Sequence, residues 1–240
     1  MINRRYFGSG LALGAAMLAL AGCQIDTRTP LRVSQIMAVA ASGAAQPVNV
    51  ALTGTFASEG WCEDEGAMAI QTLSSPAVPI QAVSCTPAGK HATGQFQVTT
   101  SLVRTAGGPD DATILENVLG NDAARFAVFP HGKHKGLLSV GLFLNLPKLA
   151  EGEQKLLAMP VFKRGKDTGQ LKYSFTVEVM NDLDKPMKFN LGNVSAGGDL
   201  PADEAVLTIP PGGMDTITLD AASQQQLMQN GWVNFFAMLK

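Results

Sequence analysis

Cys62 and Cys85 stand in Trp61-Cys62-Glu63 and Ser84-Cys85-Thr86, without the Cys-x-x-Cys spacing of a metal site. In an oxidising compartment such a pair is most simply a disulfide, with free buried thiols as the alternative. Closing the loop over residues 63–84 would contribute about 3.5 kcal/mol on the chain-entropy account. His131 and His134, in Pro130-His131-Gly132-Lys133-His134-Lys135, could attract a metal or a phosphate. The flanking lysines repel a cation and no carboxylate lies beside them, so a solvated turn is the simpler reading. His91 stands apart. Glu59, Glu63, Asp64 and Glu65 could draw calcium, but they lack the alternating oxygen ligands and central glycine of an EF-hand loop; an exposed acidic turn fits better. Ser195, in Gly192-Asn193-Val194-Ser195-Ala196-Gly197, has one residue too many before it for a nucleophile elbow, and no histidine shares its predicted domain. No phosphate loop, zinc helix or dinucleotide fingerprint is present. The expectation is a chain with no catalytic residue, no metal and no cofactor.

Cys23 belongs to a different chemistry. Arg4 and Arg5 supply a positive start, and the apolar run Leu11 to Leu20 follows, too short for the roughly 20 residues that cross about 30 Å of hydrocarbon. It ends in Leu20-Ala21-Gly22-Cys23, which resembles the lipobox of bacterial lipoproteins. The resemblance implies that residues 1–22 are a signal peptide, that the Gly22–Cys23 bond is cleaved, and that Cys23 is the lipidated first residue of the mature chain. An ordinary secretory leader with a chance cysteine is the alternative. A single acyl chain attaches only marginally, at about 0.8 kcal/mol per buried CH₂, whereas a three-chain anchor of the lipoprotein type holds permanently. Gln24 follows, not the aspartate that resembles an inner-membrane retention signal, so the expected location is the outer membrane, facing the periplasm. Asn3-Arg4-Arg5-Tyr6-Phe7 also resembles a twin-arginine export motif. Gly8 and Ser9 depart from that pattern, which leaves the general secretory route as the plainer reading.

The elements that must position these residues are mostly strands. The chain has 240 residues, 46% of them hydrophobic and 16% charged, enough apolar material for a packed core. A formal charge of -2 argues against a nucleic-acid-binding protein, which needs a basic face. Gln24 to Pro47 reads as a lipidated tether and entry segment, polar and extended, with a short apolar stretch from Leu31 to Val39. Val48 to Leu52, Gln95 to Val103, Arg125 to Phe129 and Gly136 to Leu146 alternate as half-buried strands. Helices are expected at Ala67 to Leu73, Ala112 to Leu119 and Lys148 to Leu157, while Pro76, Pro79 and Pro87 forbid continuous helix between the cysteines. The polar run Lys163 to Gly169 is the best boundary. Beyond it Leu171 to Val179, Met187 to Leu191, Val206 to Ile209 and Thr216 to Leu219 read as strands, with a Pro210-Pro211-Gly212-Gly213 turn. Asp220 can cap a helix from Ala221 to Asn230 that Gly231 ends, and Trp232 to Leu239, apolar on both faces, reads as a central strand. The expected class is α+β and β-rich: a disulfide-containing α+β domain over 48–165, then a small antiparallel β-sandwich-like domain over 170–240.

The run from Cys23 to Leu31, the later cysteine pair, the strand Leu138 to Leu146 and Val177-Glu178-Val179-Met180-Asn181-Asp182 resemble a family of small lipoproteins carried by phages and prophages. That family has no established activity, so the resemblance transfers no catalytic residue. It implies a two-part body behind a lipid anchor. The functional expectation is a non-enzymatic envelope binding or interaction lipoprotein, attached to the membrane by its lipid, with an envelope protein as partner, for instance an outer-membrane receptor that it occludes. The alternative is an envelope hydrolase acting on glycan or lipid, with Glu63 and Asp64 as the acidic pair.

Overall fold

Inward apolar and outward polar positions alternate along most of the chain, and that period of two commits it to β structure. The computed structural model describes residues 24–56, 62, 80–89, 91–106, 118–119, 122–130, 136–158, 172–191, 194–196 and 205–239. In chain order the elements are β1 (Gln24–Arg32), α1 (Val33–Ser42), β2 (Gln46–Phe56), β3 (Ile80–Ala88), β4 (His91–Arg104), β5 (Ala124–Pro130), β6 (Leu137–Leu144), α2 (Leu146–Leu157), β7 (Lys172–Met180), β8 (Met187–Leu191), β9 (Val194–Ala196), β10 (Ala205–Ile209), β11 (Met214–Leu219), α3 (Ala221–Asn230) and β12 (Trp232–Leu239). The β-rich α+β class is the class observed.

All these strands join one 12-stranded sheet in the order β10-β8-β12-β6-β5-β4-β2-β1-β7-β11-β9, with β3 paired to β4 off that path. The sheet curls into a nearly closed barrel. β1 with β7 and β4 with β5 are parallel, and the other pairs are antiparallel. The separate sandwich expected over 170–240 is not drawn by these hydrogen bonds. β7 lies along β1 from Lys172 to Met180, and β12 lies along β6, so strands from both halves share one sheet. Gln24 to Arg32, expected as tether, is a strand, and the apolar stretch after it is helix α1. Pro30, which lacks an N–H, falls just past the last β1–β2 pair, Arg28 with Ala51, where that ladder needs no donor.

The barrel interior is filled unevenly. Toward the end where β1 finishes, Leu31 and the α1 residues Val33, Ile36, Val39 and Ala40 belong to one buried cluster with Val48, Leu102, Phe126 and Val128. The α1 spacing of three and four puts those side chains on one face. On the C-terminal side, Phe189 meets Phe236 edge to face at 5.3 Å, and α3 packs on β12. Asp220 accepts from the Ser223 N–H at 2.7 Å to open α3, and Gly231 closes it at φ 75°. Toward the other end, where β1 begins, the inner face surrounds a cavity.

Candidate functional site

Strand register brings the lining of that cavity together from residues far apart in the chain. Thr27 of β1 sits between Leu52 of β2 and Phe175 of β7, and Ile25 sits beside Tyr173. Val50 faces Val98, which also neighbours Ile80 of β3. Ala124 with Leu144 and Phe126 with Leu142 complete the far wall. The space they enclose measures about 450 Å³, inside the roughly 300–1,000 Å³ span of small-molecule sites. Its lining is overwhelmingly hydrocarbon. Thr27 and Thr29 are the buried polar side chains of the β1 wall, and Thr100 donates its hydroxyl to the Ala124 carbonyl at 2.6 Å.

Helix α2 covers one side. Asn145 starts it: its side chain accepts from the Lys148 N–H at 3.1 Å and its carbonyl from the Leu149 N–H at 2.9 Å. Pro147 sits in the first turn, where a missing N–H costs nothing. Lys148, Leu149, Gly152 and Glu153 recur at one and four residues, so a single face of α2 meets the cavity. The polar groups there are few. The Tyr173 hydroxyl donates to Glu153 Oε1 at 2.9 Å, tying α2 to β7, and the Tyr173 ring stacks on Phe175 at 6.0 Å. Burial, and after it the adjacent Glu153 carboxylate, push the Tyr173 phenol well above its ordinary range, so it stays a neutral donor. An apolar chamber with a short polar rim suits binding of a ligand with a hydrocarbon body and a small polar end.

Of the residues singled out from the sequence, the described ones do not line the cavity. Cys62 and Cys85 are joined as a disulfide, with Cα atoms 5.2 Å apart. Cys85 lies on β3 opposite Gly94 of β4. Gly22, Cys23, Glu59, Glu63, Asp64, Glu65, His131 and His134 lie outside the described residues, as do the side chains of His91 and Ser195. Among the described residues, no three His, Cys, Asp or Glu side chains gather where a metal ion could be held. No described helix is long and apolar enough to cross a membrane. The cavity itself was not named from sequence. The amphipathic pattern of Lys148 to Leu157 was its one local signal; the rest is contributed by single residues from β1 to β7. Comparison with protein-family models, with curated proteins and with solved structures finds no match for this chain.

Proposed function

We propose that this chain is a non-enzymatic binding lipoprotein of a bacterial envelope, of phage or prophage origin, held by lipid on Cys23 and facing the periplasm, and that its ligand sits in the barrel cavity. The observation that carries the binding part is the cavity of about 450 Å³ walled by Ile25, Val50, Leu52, Phe126, Leu142 and Phe175. Exposed to water, such a lining is costly, at about 25 cal/mol for each Å² of apolar surface; covering it with a ligand recovers that energy. The anchor part rests on Leu20-Ala21-Gly22-Cys23 directly after the apolar run. A gene of this kind would act by changing the host surface, and occlusion of an outer-membrane receptor is the form of partnership it fits.

Two measurements test the reading together. Expressed with its own leader, the chain should fractionate with membranes, start at residue 23 and carry acyl mass on Cys23, while Cys23→Ala should carry no acyl mass and keep its leader. Residues 23–240 as Cys23→Ala, expressed without the leader, should bind one molecule of an environment-sensitive apolar dye per chain. A wild-type chain without acyl mass contradicts the anchor, and a dye that stays dark contradicts the cavity's role.

A further inference from the structure

The rim of the cavity says what kind of ligand its apolar body belongs to. We infer that it takes one acyl chain of a single-chain membrane lipid whose head is uncharged or zwitterionic; this rests on the binding reading above.

The lining restricts the body. Ile25, Val50, Leu52, Leu142, Leu144 and Phe175 make most of the wall hydrocarbon, and the hydroxyls of Thr27, Thr29 and Thr100 are its few polar points, so the enclosed part of the ligand is chiefly hydrocarbon. Walls drawn from one curled sheet suit a single flexible chain, which adapts to an irregular chamber as a rigid ring system does not.

The polar side chains restrict the head. The charged ones lie on the α2 side, where Lys148 and Glu153 both border the cavity and Tyr173 donates to Glu153 at 2.9 Å, while the wall itself carries only the hydroxyls of Thr27, Thr29 and Thr100. Acid and base stand on the same rim, so a head carrying both charges, or hydroxyls that both donate and accept, is matched. A free carboxylate meets Lys148 as an opposite charge and Glu153 as a like one, so it gains at one rim group what it loses at the other, whereas a head carrying both charges is matched at each.

Position restricts the source. Ile25, Thr27 and Thr29 line the cavity at alternate positions of β1, and the packed α1 end begins only at Leu31. The cavity therefore lies at the end of the barrel where β1 starts, and Gln24, its first residue, directly follows Cys23. An anchor on Cys23 holds that end against the bilayer, where single-chain lipids are present, at a distance of about one or two residues of extended chain, roughly 3.3 Å each.

The test uses the mature chain, residues 23–240, as Cys23→Ala expressed without the leader, with the apolar dye as reporter and a long-chain lysophosphatidylethanolamine as competitor. The lysolipid should displace the dye completely, and its affinity should rise about fourfold for each added methylene until the chamber is full. Oleate should compete about tenfold more weakly. Thr27→Phe should abolish dye and lysolipid binding. Gly152→Leu, which fills the cavity edge while favouring helix α2, should weaken both with the melting temperature kept. Dye binding without displacement by lysolipid overturns this assignment and leaves the binding reading standing. No dye binding in either assay overturns both. Equal competition by oleate overturns the head-group assignment. A lipidated wild-type chain that, stripped of non-covalent lipid, still refuses dye while Cys23→Ala accepts it shows the cavity held by the protein's own anchor, which overturns a free lipid as occupant.

Discussion

Removing the Asn181 side chain should destabilise the barrel far more than a change at an exposed loop position, because that buried residue fastens two turns at once. Asn181 is fully buried at the end of β7. Its Nδ2 donates to the Lys185 carbonyl at 2.8 Å and to the Ile209 carbonyl at 2.9 Å, and its Oδ1 accepts from the Leu183 N–H at 3.2 Å. The first and third bonds shape the β7–β8 turn, and the second reaches the end of β10. The backbone adds two more ties to the neighbouring turn, Asn181 N–H to Gly213 and Gly212 N–H to Asn181, which the substitution leaves in place. Asn181→Ala therefore deletes three side-chain hydrogen bonds, one of them fully buried. At about 1 kcal/mol for each ordinary bond, and more for a buried group left without a partner, the loss is about 2–4 kcal/mol. For a chain of this size that corresponds to a fall of roughly 5–15 °C in melting temperature. Urea unfolding followed by tryptophan fluorescence measures it. The variant should still bind the apolar dye at low temperature, since the cavity lies at the opposite end of β7. A loss under about 1 kcal/mol would refute the hub reasoning.

Three further outcomes follow from local geometry. Asp182 accepts from the Ser34 N–H at 2.9 Å and from the Ser34 hydroxyl; burial opposes its charge, but those bonds hold its carboxyl below the usual range. A lowered folded value contributes stability above the unfolded value near 3.8, lost as pH falls through the folded one; Asp182→Asn should flatten the acid limb of a stability curve by under about 1 kcal/mol, given its exposure. Tyr173 is the sole tyrosine beyond residue 22, and its raised phenol makes the opposite sign: stability is full below about 10 and declines as pH rises above it. Ultraviolet titration should find no tyrosinate in the native chain at pH 10, and Tyr173→Phe should remove the alkaline decline; an ordinary titration of the native chain contradicts the buried Tyr173–Glu153 bond. A Cβ on Gly141 would lie 2.8 Å from the Val233 carbonyl, beside the bulge between Asn234 and Phe236 of β12. Gly141→Ala should cost about 1–3 kcal/mol in urea unfolding, and a neutral result contradicts the close β6–β12 approach.

The C-terminal strands were legible because their inner positions are packed. Phe175, Val177 and Val179, then Met187, Phe189 and Leu191, alternate cleanly since each inner side chain meets the core. Asp220 and Gly231 marked α3 because both caps are local. β1 was illegible because two of its inner positions, Thr27 and Thr29, are polar and interrupt the apolar alternation between Ile25 and Leu31. Helix α1 lacked a start signal in its own sequence. Arg32 makes no side-chain cap, and the carboxylate that caps the helix, Asp182, lies 148 residues away. β3 was hidden by Pro76 and Pro79 before it and Pro87 within it; among the described residues it pairs with β4 alone, and Pro87 lies near its end, where an edge strand tolerates it. The joining of the two halves rests on the parallel β1–β7 ladder, a pairing of distant segments that no local pattern encodes.

Native mass spectrometry of the wild-type chain, released gently from the membranes of cells expressing it, tests the central claim most directly. The account predicts a mature chain that begins at an acylated Cys23 and carries one non-covalent single-chain lipid, an adduct missing from Thr27→Phe prepared in the same way. A chain with an unmodified amino terminus and no adduct, or an adduct that persists unchanged in Thr27→Phe, would contradict it.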